Sequence, residues 1–401
     1  MNDFVVSHPT GNTFVRALLE ELYQCDLLGS YFTTLGAGKK SHIWLKKLFS
    51  RRLYDIPDNK IRRYWIPEIF RLLEGGTQEK KRKSADHLYE LLDLRVASKL
   101  CHVPIDILHA YEDGAFKSFQ KAKKLGIRCS YELPIAHWRT ARSLLSNQAE
   151  RYPDWEPTLE STRESEEKLF RKDEELRLAD RITCPSNFVL DSIPNEIKNS
   201  KPCQISPFGS PKFELPEKAL ARKDRNPLRL LFVGSMSQRK GLADLFEAMK
   251  MLQGEPVELT ILGQPSLPLE FYRQKLSSFQ YIPPCSNLEV RKIMQFHDAL
   301  IIPSIVEGRA LVQQEALACG IPVIATRNAG GEDLIEEGLT GYLIPLNSPA
   351  KIAEKVLLLF DKKDYLADMR QICYRKAREY SWHNYAKKII DFNLHESKKM
   401  S

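Results

Sequence analysis

Two glutamates eight residues apart, Glu307 and Glu315, lie in the run Pro303-Ser-Ile-Val-Glu307-Gly308-Arg309-Ala310-Leu311-Val312-Gln-Gln-Glu315-Ala316. Carboxylates accept hydrogen bonds from hydroxyl groups, so a pair at this spacing suits the two ends of an elongated, hydroxyl-rich ligand. The plain alternative is two solvated glutamates on a surface helix, and the neighbouring elements argue against it. Asp298-Ala-Leu-Ile-Ile-Pro303 is a short apolar run, the pattern of a buried parallel strand. Ala310 to Cys319 predicts a helix stopped by Gly320 and Pro322, and Val323 to Thr326 predicts the next strand. A helix that opens behind a strand presents unpaired backbone N–H groups and a partial positive charge, a setting that favours phosphate.

A second loop of this kind stands upstream. Leu228 to Val233 is nearly all apolar and reads as a central strand, followed by Gly234-Ser235-Met-Ser-Gln-Arg239-Lys240-Gly241 and a helix-period stretch from Leu242 to Leu252. Small residues behind a strand let backbone approach a ligand closely. Arg239 adds a fork of donors and Lys240 a point charge, both suited to a diphosphate. Negative charge developing on a departing diphosphate needs fixed positive partners of this sort. No Asp-x-Asp pair stands out as a metal site, so neither metal nor other cofactor is expected.

With these motifs in order, the chain resembles the retaining family 4 (group 1) glycosyltransferases of GT-B architecture. The resemblance rests on Glu307 and Glu315 as a Glu-x7-Glu element and on the loop of Gly234, Ser235, Arg239, Lys240 and Gly241. A third segment, Ala329 to Ile335 followed by Gly338 to Pro345, also matches, and the likeness covers most of residues 228–393. It implies an α/β fold of two Rossmann-like α/β/α domains facing across a deep cleft. It further implies that Arg239 and Lys240, with Gly234, Ser235 and the N–H groups around Leu311 and Val312, hold the diphosphate of a nucleotide-sugar donor. Glu315 would bind the ribose, Glu307 would meet the donor hexose near the reacting centre, and the nucleotide base would lie near Gly263 and Tyr281–Asn287, where nothing specifies which base. One departure stands out: the family usually has Gly-Phe-Gly after the first glutamate, where this chain has Gly308-Arg309-Ala310. Arg309 could select an anionic or unusual sugar, contact the acceptor, or point into solvent.

The first half resembles the family more weakly. Phe4 to Phe14 reads as a strand, a loop with the single glycine Gly11, and the start of a helix running through Tyr23. Asp106–Ala110 and Ile127–Leu133 read as strands joined by a helix over Gly114–Leu125. Relatives place a histidine facing the cleft just past such a strand, and His137 is the match; a hydrogen-bonded surface histidine is the alternative. Leu178 to Val189 resembles the family's strand-Pro-Ser-helix segment, in which Ser186 would cap its helix, a structural role.

At 401 residues the chain exceeds one ordinary core, and alternating strands and helices argue for parallel sheets. The expected division is an acceptor-binding domain over 1–206, a linker over 207–227, a nucleotide-sugar domain over 228–380, and a C-terminal helix in 381–401 that returns to the first domain. The eight cysteines are scattered without zinc spacing, which fits a reducing compartment. Met1 leads directly into a strand with no leader, and no apolar run is long enough to span a bilayer, so a cytoplasmic protein is expected. Charge is uneven: residues 39–83 carry 14 Lys or Arg against 5 Asp or Glu, interleaved with aromatic and apolar residues. Such a segment suits an anionic membrane surface, on its inner face, or else forms an ordinary amphipathic helix. No recognition motif accompanies the charge, which argues against nucleic acid. The leading functional reading is a retaining hexosyltransferase acting from a nucleotide-diphosphate sugar onto a saccharide or lipid-linked saccharide. The alternatives are transfer to water, phosphate or a small metabolite, and a degenerate sugar-nucleotide-binding scaffold.

Overall fold

The structure, a computed structural model, describes residues 3–39, 52–73, 78–159, 164–214, 226–362 and 365–395. The strands of its two large sheets, in chain order, are β1 Phe4–Ser7, β2 Leu28–Thr33, β3 Ile61–Arg63, β4 Ile107–Tyr111, β5 Arg128–Glu132, β6 Arg181–Cys184 and β7 Cys203–Ile205, then β8 Leu228–Val233, β9 Val257–Leu262, β10 Gln280–Ile282, β11 Ala299–Ile302, β12 Val323–Thr326 and β13 Gly341–Ile344; Ala37–Gly38 and Leu53–Tyr54 pair separately. The first seven form one sheet in the order β3-β2-β1-β4-β5-β6-β7, and the remaining six form a second in the order β10-β9-β8-β11-β12-β13. Every pairing within the two sheets is parallel. Both are doubly wound: the strand order reverses between β1 and β4 in the first sheet and between β8 and β11 in the second. Ligands of such sheets bind beyond the carboxyl ends of the strands at that reversal.

The apolar runs form strands because both sheet faces are covered. In β8 and β11, Leu230, Phe232, Ala299 and Ile301 join one apolar cluster while Leu231, Leu300 and Ile302 join another. That alternation sends successive side chains to opposite faces, each packed under helices. In the first sheet Phe4 and Val6 face one cluster and Val5, Leu108 and Ala110 the other. The helices used below are α1 Thr13–Gln24, α2 Trp65–Leu73, α3 Gln78–Lys99, α4 Trp138–Arg151, α5 Glu166–Leu178, α6 Asn187–Ser192, α7 Leu242–Met251, α8 Asn287–Met294, α9 Leu311–Ala318 and α10 Trp382–Leu394.

Two segments cross between the sheets. α10 lies in the cluster of α1 and β1, with Tyr385, Ala386, Ile389 and Ile390 buried there. Its Tyr385 hydroxyl donates to both carboxylate oxygens of Glu132, at 2.9 and 2.7 Å. Phe208 stacks on Phe14 and lies 6.0 Å from Trp382, so the start of the connecting chain is held in the same cluster. In the opposite direction, the turn after α4 inserts Trp155 into the core of the second sheet, against Phe246, Phe271 and Tyr272 at 5.1–5.7 Å. Sequence patterning did not anticipate this peg, nor the strands β2 and β3.

Of the basic segment 39–83, residues 40–51 and 74–77 lie outside the described residues, as do 215–225 of the expected linker and 396–401 of the expected C-terminal segment. The described remainder of the basic segment is not one helix: it contains β3, α2 and the first turns of α3. No helix among the described residues is long and apolar enough to cross a membrane.

Candidate functional site

The two loops singled out in the sequence flank the reversal point of the second sheet. One follows β8 and the other β11, adjacent strands, so the fold brings together residues far apart in the chain. Arg239 and Lys240 form a single turn of 3-10 helix that ends at Gly241, whose φ of 74° lies in the left-handed region. A Cβ on Gly241 would meet the Pro303 carbonyl oxygen at 1.9 Å, so the two loops touch backbone to backbone only because this residue is glycine. Ile305 N–H donates to the Arg239 carbonyl at 2.9 Å, and Arg239 Nη1 donates to the Val306 carbonyl at 2.9 Å.

This stitching sets the charges. Arg239 Nη1 and Lys240 Nζ each lie 2.5 Å from the same oxygen, Oε1 of Glu307. Burial alone would raise the Glu307 pKa; Lys240 and then Arg239 outweigh it and hold the carboxyl below its ordinary range. Burial works the other way on Lys240, lowering its pKa with only Glu307 opposing. A second anion beside Lys240 would therefore be welcome. The Lys240 stem runs over Gly234, 3.4 Å from where a Cβ would stand, and Ser235 Oγ lies 3.2 Å from Ser237 Oγ.

α9 begins at Leu311 without a side-chain cap, so the first N–H groups, those of Leu311 and Val312 among them, have no partner within the helix. Glu315 lies further along α9, its nearest cation the guanidinium of Arg291 on α8 at 4.0 Å. Burial pushes the Glu315 carboxyl up to about 7. The expected base pocket lies beside these loops: Gly263 N–H donates to the Ile282 carbonyl, and Ser286 and Glu289 form a capping box at the start of α8. Among the described residues no three His, Cys, Asp or Glu side chains gather where they could hold a metal ion.

Of the three expectations for Arg309, the structure overturns one, that it points into solvent. Its side chain is fully buried and turned away from Glu307, forming a bidentate pair with Asp333 at 2.6 and 3.1 Å. The same guanidinium donates to Gln314 Oε1 and the Gly330 carbonyl and lies over the Tyr380 ring. It meets no solvent, and it fastens the Glu307 loop to the segment after β12. Its neighbour Gln314 carries the connection on, donating to the Phe208 carbonyl.

The first half closes against these loops. A Cβ on Gly308 would meet the Pro134 carbonyl oxygen at 1.7 Å, which puts the Glu307 loop directly on the chain leading to His137. Ser186 does cap α6, accepting from Val189 N–H, and it also donates to the Gly308 carbonyl at 2.6 Å. His137 is buried at the start of α4, and its Nε2 lies 3.1 Å from Asp173. Burial lowers its pKa to about 4 despite Asp173, so the ring is neutral at pH 7. With the Nε2 proton directed to Asp173, Nδ1 is an acceptor, and it has no hydrogen-bond partner. Gly11 lies against the Tyr54 ring, where a side chain would overlap it, so its place is set by packing.

Several residues of this site carry no signal in the sequence. Gln238 is fully buried and bonds outward from the cationic loop: its backbone N–H donates to Thr158 Oγ1, and its amide donates to Gln148 and Asp244 and accepts from Ala243 N–H. Tyr152 donates to Asp244 at 2.9 Å. At the reversal point of the first sheet, Glu112 and Asp113 follow β4 beside Lys168 and Lys172 of α5, with Lys172 Nζ 3.5 Å from Glu112 Oε1. Burial, Lys172 notwithstanding, pushes Glu112 up to about 7. These groups are scattered singly along the chain, and only the topology gathers them.

Residues 215–380 match the family described as glycosyl transferases group 1. The match spans the second sheet with both loops of the site. A curated relative, the D-inositol 3-phosphate glycosyltransferase of Pseudarthrobacter chlorophenolicus, is 32% identical to the chain over 170 residues, 40% of this chain and 40% of that protein. The match to such relatives thus spans well under half of their length and is of the extent of the glycosyl transferase domain. Over the whole chain the likeness is one of fold. Sucrose-phosphate synthase from Thermosynechococcus elongatus superposes with a TM-score of 0.68 at 15% identity, covering 98% of each chain. HepE from Anabaena, solved in complex with UDP-glucose, gives 0.61 at 13% identity over 98% of this chain and 99% of its own. Together with its two facing parallel sheets, the chain has the GT-B architecture.

Proposed function

We propose that this protein is a retaining, metal-independent glycosyltransferase that moves a hexose from a nucleotide-diphosphate sugar to a saccharide or lipid-linked saccharide hydroxyl. The observation that carries the reading is the meeting of Arg239, Lys240 and Glu307 within 2.5 Å at the sheet reversal, beside the uncapped start of α9. The two cations and the helix N-terminus would hold the diphosphate. Glu315 would accept from the ribose hydroxyls, and the base would lie near Gly263 and Tyr281–Asn287. Glu307, kept ionised by its two cations, would accept from the hexose.

In the reaction, the bond from the anomeric carbon to the diphosphate oxygen breaks and its electron pair stays on the phosphate. The acceptor oxygen bonds to the anomeric carbon, and the proton it loses goes to the departing phosphate oxygen or to water. Neutral His137 would steady a sugar hydroxyl through Nδ1 only after a movement that uncovers this buried atom, while Asp173 holds its ring. Retention of anomeric configuration is taken from the family resemblance. A UDP-bound and a UDP-glucose-bound protein among the fold neighbours make UDP-hexoses the first donors to try. The test is release of nucleoside diphosphate from a panel of nucleotide sugars, with a saccharide acceptor and with water alone, in the presence of a chelator. Acceptor-dependent release, lost in Glu307→Gln, supports transfer. Equal release with water alone would replace transfer by hydrolysis.

A further inference from the structure

Helix α2 is built inside out. A helix on a globular surface normally buries its apolar stripe and exposes its charges. In α2 the one buried side chain is Glu68, wholly inaccessible, while Trp65, Ile66, Phe70 and Leu73 are 52%, 50%, 70% and 78% exposed. With Ile69, these positions recur at helical spacing along one face, and Leu72 widens it.

The inversion is fixed by hydrogen bonds. Glu68 accepts from Arg52 at 2.5 Å and from two nitrogens of Arg71 at 2.7 and 2.9 Å. Arg52 also donates to Thr34 Oγ1, which donates in turn to the Pro9 carbonyl in the loop after β1. Burial alone would raise the Glu68 pKa, but Arg71 and Arg52 hold it below its ordinary value, so the pin is ionic. α2 is thereby tied by its polar side to the body of the protein and presents its apolar side outward. It starts just past β3, the edge strand of the first sheet, at the carboxyl ends of the strands, the same side as the loop after β1.

We propose that the outer face of α2 docks on an anionic lipid bilayer. Charge selects this occupant. In the chain the face lies between the exposed Arg62 and the basic segment Lys80, Lys81, Arg82 and Lys83 near the start of α3. A second copy of the chain seated on the same face would bring two such segments together, whereas anionic headgroups neutralise them. An in-plane helix with an apolar face and flanking cations, carrying tryptophan at one end, has the composition for the headgroup boundary. The surface stands on its own geometry; only the corollary, that the bilayer presents a lipid-linked acceptor to the cleft, rests on the transfer reading.

The test is co-sedimentation of the full chain with phosphatidylcholine vesicles and with phosphatidylcholine vesicles doped with phosphatidylglycerol. Binding to the doped vesicles, weakened by salt, is expected. Phe70→Glu with Leu73→Glu should weaken it by about tenfold or more, since two large apolar side chains would no longer leave water. Both side chains are exposed, so the variant should keep its melting temperature and its thermal response to nucleotides. Failure to bind doped vesicles would overturn the proposal, as would binding unchanged in the variant. So would a wild-type dimer that the variant dissociates, which would assign the face to a second copy. A protein that binds vesicles but no nucleotide would keep this surface and lose the donor reading instead.

Discussion

At the scale of single residues, the site is a small charge balance: one carboxylate, Glu307, shared by two cations on a neighbouring loop. Removing a cation should act twice. Lys240→Ala should weaken nucleotide-diphosphate binding, and it should leave the buried Glu307 with one partner, at a cost of up to about 3 kcal/mol in denaturant unfolding. Glu307→Gln should depress kcat more than it raises the Kd for nucleotide, if, as proposed, its partner is the hexose. Glu315 makes a prediction in pH. Its pKa is about 7 because burial disfavours the charge, and the ionised form is the better acceptor for ribose hydroxyls. Nucleotide affinity, followed by calorimetry, should therefore rise as pH increases through about 7 and level off above. Glu315→Gln, which has no proton to lose, should flatten that slope.

At the scale of elements, the Glu307 loop is held from both sides, and Arg309 shows how. The sequence marks it as a departure beside the hexose position, yet the side chain turns back onto Asp333 and Tyr380. Arg309→Ala removes a fully buried guanidinium and its bonds to the exposed Asp333, to Gln314 and to the Gly330 carbonyl, and should destabilise the protein by about 1–3 kcal/mol. The ranking of donor sugars should stay as in the wild type; a changed ranking would return Arg309 to the donor pocket. The two strand-to-helix loops were legible because each is continuous in sequence: apolar run, small residues, charged turn, helix. Where Arg309 points was not, since its partners come from 21 and 24 residues further along and only the sheet brings them near. Gln238 stands inside a continuous loop motif, yet its neighbours in the fold include Gln148 and Thr158, 90 and 80 residues away in the chain.

At the scale of the whole molecule, two Rossmann-like sheets were predictable from alternating strands and helices, but their fastening to each other was not. β2 and β3 lack the long apolar runs of the central strands, and the Trp155 peg follows a helix whose pattern resembles any surface helix. The peg, the Gln148–Gln238 bond and the Ser186–Gly308 bond join the first half to both donor loops. Trp155→Ala should cost about 3–5 kcal/mol, because a large aromatic leaves a packed core. Gln148→Leu removes two hydrogen bonds, the one accepted from Gln238 and the one donated to Asn347, each worth about 1 kcal/mol, and should raise the donor KM severalfold with kcat little changed.

The central claim is that Arg239, Lys240 and the start of α9 form a nucleotide-diphosphate site. Thermal unfolding of the purified protein against UDP, GDP, ADP and their sugar conjugates, with a chelator present, tests it directly. One base should raise the melting temperature clearly in the wild type and fail to do so in Lys240→Ala. No shift with any nucleotide, or a shift that survives Lys240→Ala undiminished, would contradict the site.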